Sequence, residues 1–590
     1  MPRGNLKTTS GKPRATRQSV DQAIKSICDI MRRGNMAGAM QYVPELTWIL
    51  FLRILDEIET QEQDEAEALG IAFTPSLAAP YRWRDWAAPA GTQRKALEDG
   101  RSGGFFAFVN GQLLPHLKHL ERRPGATVRQ KMISEIMSSV ERVRIDTERN
   151  FRDVLDRVHD LSQQTIDPTH VFTLSQVYEG LLLKMGEKNN DGGQFFTPRE
   201  VIRAMVRVIA PQIGETVYDP GCGTGGFLAQ SYEHLKQALD RASAPAEHYT
   251  TLKERTFYGR EKENLIYPIA LANLVLHGID HPHLWHGNTL TGQESYGGLF
   301  EGAPALFDVI LTNPPFGGKE GQDAQTRFDY KTGATQVLFL QHVLKSLKPG
   351  GRCGIVVDEG LLFRTNEDAF VKTKRKLLDE CELWCIVSLP AGVFTQAGAG
   401  VKTNLLFFTQ GQPTRRIWYY DLSEVKVAKK KPFTLAHFDE FFHLLPERGD
   451  SAQSWTVDFT TRKRRAAEEA TPLHEQARQK RQEAARCKER LEVLRIPDRQ
   501  DRDWAAIEQA ERQMQSLARE ARELASKAEA IENAVYDLKA VNPHKTLETD
   551  ARTPAELLDL IEAKGREIAE ALAVLRSLTP NPFPKERGLG

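Results

Sequence analysis

Apolar residues recur at helical spacing along the first quarter of the chain. Ile24, Ile27 and Met31 share one face, and Trp48, Phe51, Leu52 and Leu55 build another. Residues 18–165 are therefore expected to form a helical domain, broken by a Gly/Arg/Gly loop at 100–104. A polar, basic tail, residues 1–17, precedes it and is expected to be disordered. The helical domain carries no catalytic motif and reads as a packing or docking module. The period changes after about residue 173. Short apolar runs at 216–219, 256–259, 284–286, 308–312, 354–358, 384–388 and 404–409 alternate with helical stretches, as parallel strands joined by crossovers do. This α/β region is expected to span residues 166–425. Within it 201–210 and 339–347 read as helices, the second stopped by Lys348-Pro349-Gly350-Gly351.

A linker at 426–465 closes on Arg462-Lys463-Arg464-Arg465, and the composition then shifts to Ala, Glu, Arg and Gln. In residues 466–590, Ala510, Leu517, Leu524, Ile531 and Leu538 recur every seven positions. So do Ile507, Met514, Ala521, Ala528 and Val535, completing a coiled-coil seam. A helix at 472–494 precedes it. Two compatible readings stand: the helices fold back as a hairpin, or they dock a partner subunit.

The chain has 590 residues, room for about three domains. No apolar run reaches membrane-spanning length, and the N-terminus lacks the apolar core of a secretory signal. Six scattered cysteines suit reduced thiols and a cytoplasmic setting. Neither Cys381 with Cys385 nor the group His281, His283 and His286 has the further ligands a metal site needs, so none is expected. The 79 basic and 79 acidic residues cancel. Duplex DNA affinity rests on concentrated Lys and Arg, so if DNA is the substrate another subunit supplies much of the grip.

Chemistry concentrates in the α/β region. After the run at 216–218 comes Asp219-Pro220-Gly221-Cys222-Gly223-Thr224-Gly225-Gly226, a turn whose glycines let backbone approach a ligand. Glu261 ends the next run, where a carboxylate can accept the ribose hydroxyls of an adenosine moiety. The spacing is not that of a dinucleotide loop and no P-loop occurs, which leaves S-adenosylmethionine as the best fit. Gly193-Gln194-Phe195-Phe196-Thr197-Pro198-Arg199 leads into the helix at 201–210, with Thr197 expected as N-cap and Pro198 at the first helical position. Its amides and rings are expected to close over the methionine end of that cofactor.

Asn313-Pro314-Pro315-Phe316 follows the run at 308–312. An exocyclic base amine is a poor nucleophile, because its lone pair is delocalised into the ring. Two acceptors, the Asn313 side-chain oxygen and the Pro314 carbonyl, would draw the nitrogen toward tetrahedral geometry. Pro314 and Pro315 stiffen the turn, and Phe316 offers a face for an extruded base. The stretch 317–333 either orders over the substrate or stays a mobile loop. No Pro-Cys dipeptide supplies a nucleophile for cytosine-carbon methylation, and Cys222 reads as a small filler.

The blocks 193–199, 219–228, 313–316 and 389–408, with 27–57 in the helical region, resemble the modification (methyltransferase) subunit of type I restriction–modification systems, an adenine-N6 DNA methyltransferase family. The likeness runs from about residue 20 to 425. It implies a Rossmann-like methyltransferase domain with a doubly wound, mostly parallel, seven-stranded sheet. By similarity Gln194, Phe195, Phe196, Thr197, Pro198 and Arg199, with Thr224, Gly225, Gly226 and Glu261, would bind S-adenosyl-L-methionine, and Asp219, Gly221 and Gly223 of the same loop are counted with them. Gly221 stands where the family commonly has Ala. Asn288 stands where many relatives have an Asp that holds the adenine amino group, and an Asn oxygen can accept the same bond. The implied partners are double-stranded DNA, a specificity subunit that reads the site for two catalytic chains, and a restriction subunit with the ATP-driven motor. Two other readings stand beside it: methylation of another planar amide such as a protein glutamine, and a non-catalytic scaffold of a defence complex.

Overall fold

A computed structural model describes residues 17–160, 197–292, 296–394, 402–428, 431–539, 541–544 and 553–578, apart from 35, 37, 38 and 101–103. All seven apolar runs become strands: β1 (Val217–Asp219), β2 (Phe257–Glu261), β3 (His283–His286), β4 (Phe307–Thr312), β5 (Leu347–Asp358), β6 (Cys381–Ser388) and β7 (Thr403–Gln410). Two more, β8 (Arg416–Asp421) and β9 (Ser454–Asp458), extend the expected seven-stranded sheet to nine, in the order β3-β2-β1-β4-β5-β7-β6-β8-β9. The pairs from β3 to β5 are parallel, as is β6 with β8, while β7 runs antiparallel to both its neighbours. The antiparallel β8–β9 pair lies at the far edge, so the stretch 426–465 is no plain linker but contributes a strand. β9 has only Trp455 and Val457 to mark it, too little apolar signal for a sequence reading.

The helix before β5 runs Thr335–Ser346, and Lys348-Pro349-Gly350-Gly351 lies inside the strand rather than before it. The register with β4 slips there, from Phe307 opposite Leu347 to Val309 opposite Arg352, so the glycines form an irregularity in the ladder. β1 lies between β2 and β4, and chain order reverses at that point. In such sheets a crevice opens outside the carboxyl ends of the two strands.

The N-terminal helices, among them Ala39–Ala68 and Val128–Met137, enclose an aromatic core of Trp48, Trp83, Trp86, Phe105, Phe108 and Phe151. Both helices pack on Tyr267–Leu276, the crossover between β2 and β3, in which all ten residues are buried. A helix buried on every side needs cover all round, and the helical domain supplies part of it. Arg129 reinforces the junction, pairing with Glu62 at 2.7 Å and reaching Asp280 at 3.7 Å.

Phe459–Leu494 and Trp504–Ala534 pack as a hairpin, the first helix starting well before the expected residue 472 and running through Pro472. Ala470 and Ala477 on one helix and Ile507, Ala510, Leu517, Ala521 and Ala528 on the other are buried, so small side chains let the backbones approach. Residues 542–590 are a separate unit whose described residues include one helix, Pro554–Leu578, that exposes Leu558, Ile561, Ile568 and Leu572. Among the described residues no helix is long and apolar enough to cross a membrane.

Ala528 is fully buried in the hairpin seam. Ala528→Leu is expected to overpack it and cost about 1–3 kcal/mol, read as an earlier loss of helical signal in thermal circular dichroism. An unchanged melt would contradict close packing at that seam.

Candidate active site

β1 ends in Asp219, a carboxylate with only 1% of its surface exposed. Its Oδ1 accepts from the Thr312 hydroxyl at 2.7 Å and from the Gly221 amide at 3.1 Å. Its Oδ2 is buried with no donor among the described residues. Burial pushes the Asp219 carboxyl up to about 7, against the pull of Thr312 and Gly221 and with the charge of Glu261 adding to the rise. Glu261, at the end of β2, is also raised by burial, opposed by the amides it accepts. Its Oε2 accepts from Gly223 N–H and its Oε1 from Glu263 N–H, both at 2.9 Å.

The turn between these carboxylates needs its glycines for two separate reasons. Gly223 and Gly225 have φ of 53° and 79°, which side chains with a Cβ rarely adopt. A Cβ on Gly226 would lie 2.9 Å from the Cδ1 of Ile202, so that side-chain end would have to shift to admit it. Gly221 is different: a Cβ there meets only Phe339, at 3.5 Å, so alanine fits. Behind the turn Asn273 donates to the Thr224 carbonyl at 2.9 Å, tying it to the buried crossover helix.

Thr312 is the last residue of β4, so its bond to Asp219 brings Asn313 beside the glycine turn. Thr197 is not the N-cap expected for the helix Arg199–Ile209: Pro198 takes that position, without a side-chain cap bond. The Thr197 hydroxyl instead accepts from Asn313 Nδ2 at 2.8 Å. Asn313 Oδ1 is buried and has no donor among the described residues. The Phe316 ring is half-buried and meets Phe394 edge-on, 5.7 Å between centroids at 86°.

Asn288 follows β3, and its Oδ1 already accepts from the Leu290 amide at 3.0 Å. Its Nδ2 lies 3.5 Å from Glu320, whose other oxygen accepts from Thr335 at 3.1 Å. A cavity of about 490 Å³ joins all of these, lined among others by Thr197, Arg199, Asp219, Glu261, Asn288 and Asn313. Pro314, Pro315, Phe316 and the glycine turn complete its wall. Gln194, Phe195 and Phe196 lie outside the described residues. The sequence reading did not assign Phe394, Glu320, Thr335, Phe339, Lys262 or Lys319 individually to the site, and the fold brings them to the cavity or its edge. Burial pushes the Cys222 thiol well up, so it is no thiolate nucleophile.

The residues fit S-adenosylmethionine. Two buried carboxylates, one with an unpartnered oxygen, face a crevice that can take a cation, and a glycine turn with a strand-end acid suits an adenosine group.

The raised Asp219 carboxyl has a sign that can be checked. Below about pH 4 folded and unfolded chains both hold the proton, and the group's contribution is present in full. As the pH climbs toward 7 the unfolded chain has released it at its ordinary value of 3.8 while the folded chain keeps it, so stability falls. Asp219→Asn removes this loss. The melting temperature of the ligand-free variant relative to wild type is expected to rise between pH 4 and 8; a pH-independent difference would contradict the assigned burial.

Residues 170–483 match the family model described as N-6 DNA Methylase, and residues 20–162 match the HsdM N-terminal domain. The EcoEI methylase subunit of a type I restriction enzyme from Escherichia coli is 36% identical over 413 residues, covering 68% of this chain and 77% of that protein. The EcoKI methylase subunit from Escherichia coli strain K12 is 30% identical over 428 residues, covering 70% and 74%. Among solved structures, one described as a modification subunit of a type I restriction enzyme from Vibrio vulnificus YJ016 superposes with a TM-score of 0.64 at 34% identity, covering 77% of this chain and 94% of that one. A chain solved in the context of type I R-M complex assembly gives 0.62 at 33% identity, covering 97% and 100%. The chain belongs to the N-6 DNA methylase family, alongside the methylase subunits of type I restriction enzymes.

Proposed function

We propose that this chain methylates the exocyclic N6 amine of an adenine swung out of duplex DNA, with S-adenosylmethionine as donor, as the modification subunit of a type I complex. The observation that carries the reading is the buried Asn313 oxygen, without a donor among the described residues, in the wall of the cavity beside β1 and β4. A buried carbonyl with no donor is costly unless a ligand supplies one. An adenine amine supplies two.

Asn313 Oδ1 and the Pro314 carbonyl would accept the two N–H bonds of the target amine and aim its lone pair into the crevice. The two prolines hold that corner with little reorganisation on reaction. Phe316, braced edge-on by Phe394, would stack on the extruded base. Glu261 would hold the ribose hydroxyls, and Asp219 would face the positive charge. Thr197, Pro198 and Arg199, with Gln194, Phe195 and Phe196, would cover the methionine end. Asn288 has one oxygen lone pair left for the cofactor's adenine, beside Glu320. Bound S-adenosylmethionine supplies an electrophilic methyl on cationic sulfur, so neither a metal nor a strong base is required. Orientation by the chain's own groups supplies most of the acceleration.

Charge neutrality supports shared DNA binding, since this chain brings no net attraction to phosphate. Recognition of the site would rest with a specificity subunit, serving two copies of this chain, with a restriction subunit joining for cleavage in the cytoplasm. Tritiated-methyl transfer to duplex DNA is expected from the chain assembled with the specificity subunit and to be weak without it. Asn313→Ala is expected to lower turnover on the order of 10²–10³-fold while cofactor affinity holds. Label in cytosine or protein, or full turnover by the variant, would overturn the reading.

A further inference from the structure

We infer that the stretch 317–333 is a fixed wall for the purine of the cofactor, and that Glu320 on it is the charged acceptor for that purine's 6-amino group. The inference rests on the reading of the cavity as the S-adenosylmethionine site. Where the purine lies follows from β2 and β3. Glu261 stands opposite His286 in their ladder, and the Gly287 amide donates to the Glu261 carbonyl at 2.9 Å. Gly287 and Asn288 therefore run on beside the acid assigned to the ribose, where a base attached to that sugar would extend. Glu320 meets Asn288 there and lines the same cavity.

A lid over the substrate needs freedom, and this stretch has little. Lys319 and Ala334 form an antiparallel bridge, and Glu320 N–H donates to the Gly333 carbonyl at 2.9 Å, so the two ends are tied together. The buried Gln341 side chain accepts from the Tyr330 amide at 3.0 Å and donates to its carbonyl at 2.9 Å. Asp329 pairs with Lys345 at 3.0 Å and with Lys376 at 2.8 Å. Ala324 and Phe328 pack in one cluster with Leu290, which joins the stretch to the segment just after β3. Contacts within the chain thus hold Glu320 at one place.

Donors and acceptors at that place are fixed by groups that can act in only one sense. The Leu290 N–H can only donate, so the Asn288 atom it meets at 3.0 Å is the oxygen, and Nδ2 is the end turned to Glu320 at 3.5 Å. A carboxylate only accepts, so the Thr335 hydroxyl donates to the other Glu320 oxygen, at 3.1 Å. A carboxylate has about four lone-pair directions, and Thr335 and Asn288 take two of them. Asn288 keeps one lone pair and carries no charge. Hydrogen bonds to a charged acceptor are roughly twice as strong as neutral ones, so Glu320 carries most of the preference for a purine with an amine at that position. The same contact accounts for an amide at 288, because a second carboxylate there would stand against Glu320.

Calorimetry on the full chain tests this, with S-adenosylhomocysteine and its 6-deamino counterpart, which bears hydrogen in place of the amine. Wild type is expected to prefer the amino compound about 10–100-fold, the worth of a hydrogen bond to a charged group. Glu320→Gln should cut that preference to about threefold, while affinity for the deamino compound stays within about twofold and shows the pocket intact. Adding Asn288→Asp to Glu320→Gln moves the charge across the contact and should restore most of the preference. An unchanged preference in Glu320→Gln overturns the inference, as does an equal loss of affinity for both compounds. A double variant no better than Glu320→Gln alone also overturns it. So does a weaker Kd for target duplex with cofactor binding unchanged, which would set Glu320 against the target base. If wild type binds neither compound, the cofactor reading falls and takes the inference with it. If wild type and Glu320→Gln bind the amino compound equally tightly, only the role of Glu320 falls.

Discussion

Thr312 ends the fourth strand, Asp219 ends the first, and the 2.7 Å bond between them fixes where everything else at the crevice lies. The acceptor is a carboxylate in a place that strongly disfavours its charge, so the donors around it are not optional. One of them, the Gly221 amide, opens the glycine turn, and the other belongs to the residue just before Asn313. The same buried oxygen therefore aligns the start of the cofactor turn with the start of the Asn-Pro-Pro-Phe corner. A shift of either strand by one residue would leave a carboxylate unpaired in the core and separate the two halves of the site.

The glycine turn is held from behind as well. Asn273 grips the Thr224 carbonyl, and Leu274 from the same helix lies where a Cβ on Gly225 would be 3.2 Å away. That helix is buried over its whole length, and the N-terminal helices supply part of its cover. The helical domain carries no chemistry, yet it packs the element on which the cofactor turn rests. This gives its tryptophan-rich core a role in activity through packing alone.

Much of this was legible because it is written in short range. Each of the first seven strands is a compact apolar run, and the glycine turn and the Asn313–Phe316 corner are continuous stretches whose residue types carry their own conformational rules. What sequence concealed depends on partners far away in the chain. Thr197 reads as a helix cap because it precedes a helix, and only the fold gives its hydroxyl a better partner in Asn313. Asn288 reads as a cofactor ligand, but one of its oxygen lone pairs is spent on Leu290 two residues on. Phe394 and Glu320 reach the site by folding over it, and β8 and β9 lie beyond the block whose pattern was strongest. The seam of the C-terminal hairpin was visible as heptads, whereas the earlier start of its first helix was hidden by Pro472, which the helix absorbs.

The account turns on an amide oxygen that has no donor among the described residues. A structure of the chain assembled with its specificity subunit, a non-reactive analogue of S-adenosylmethionine and target duplex tests it most directly. The account predicts the adenine N6 within hydrogen-bonding distance of Asn313 Oδ1 and the Pro314 carbonyl, with Phe316 against the base and the analogue along Asp219 and Glu261. A target base that stays stacked, or one that enters with its amine turned away from Asn313, would contradict it.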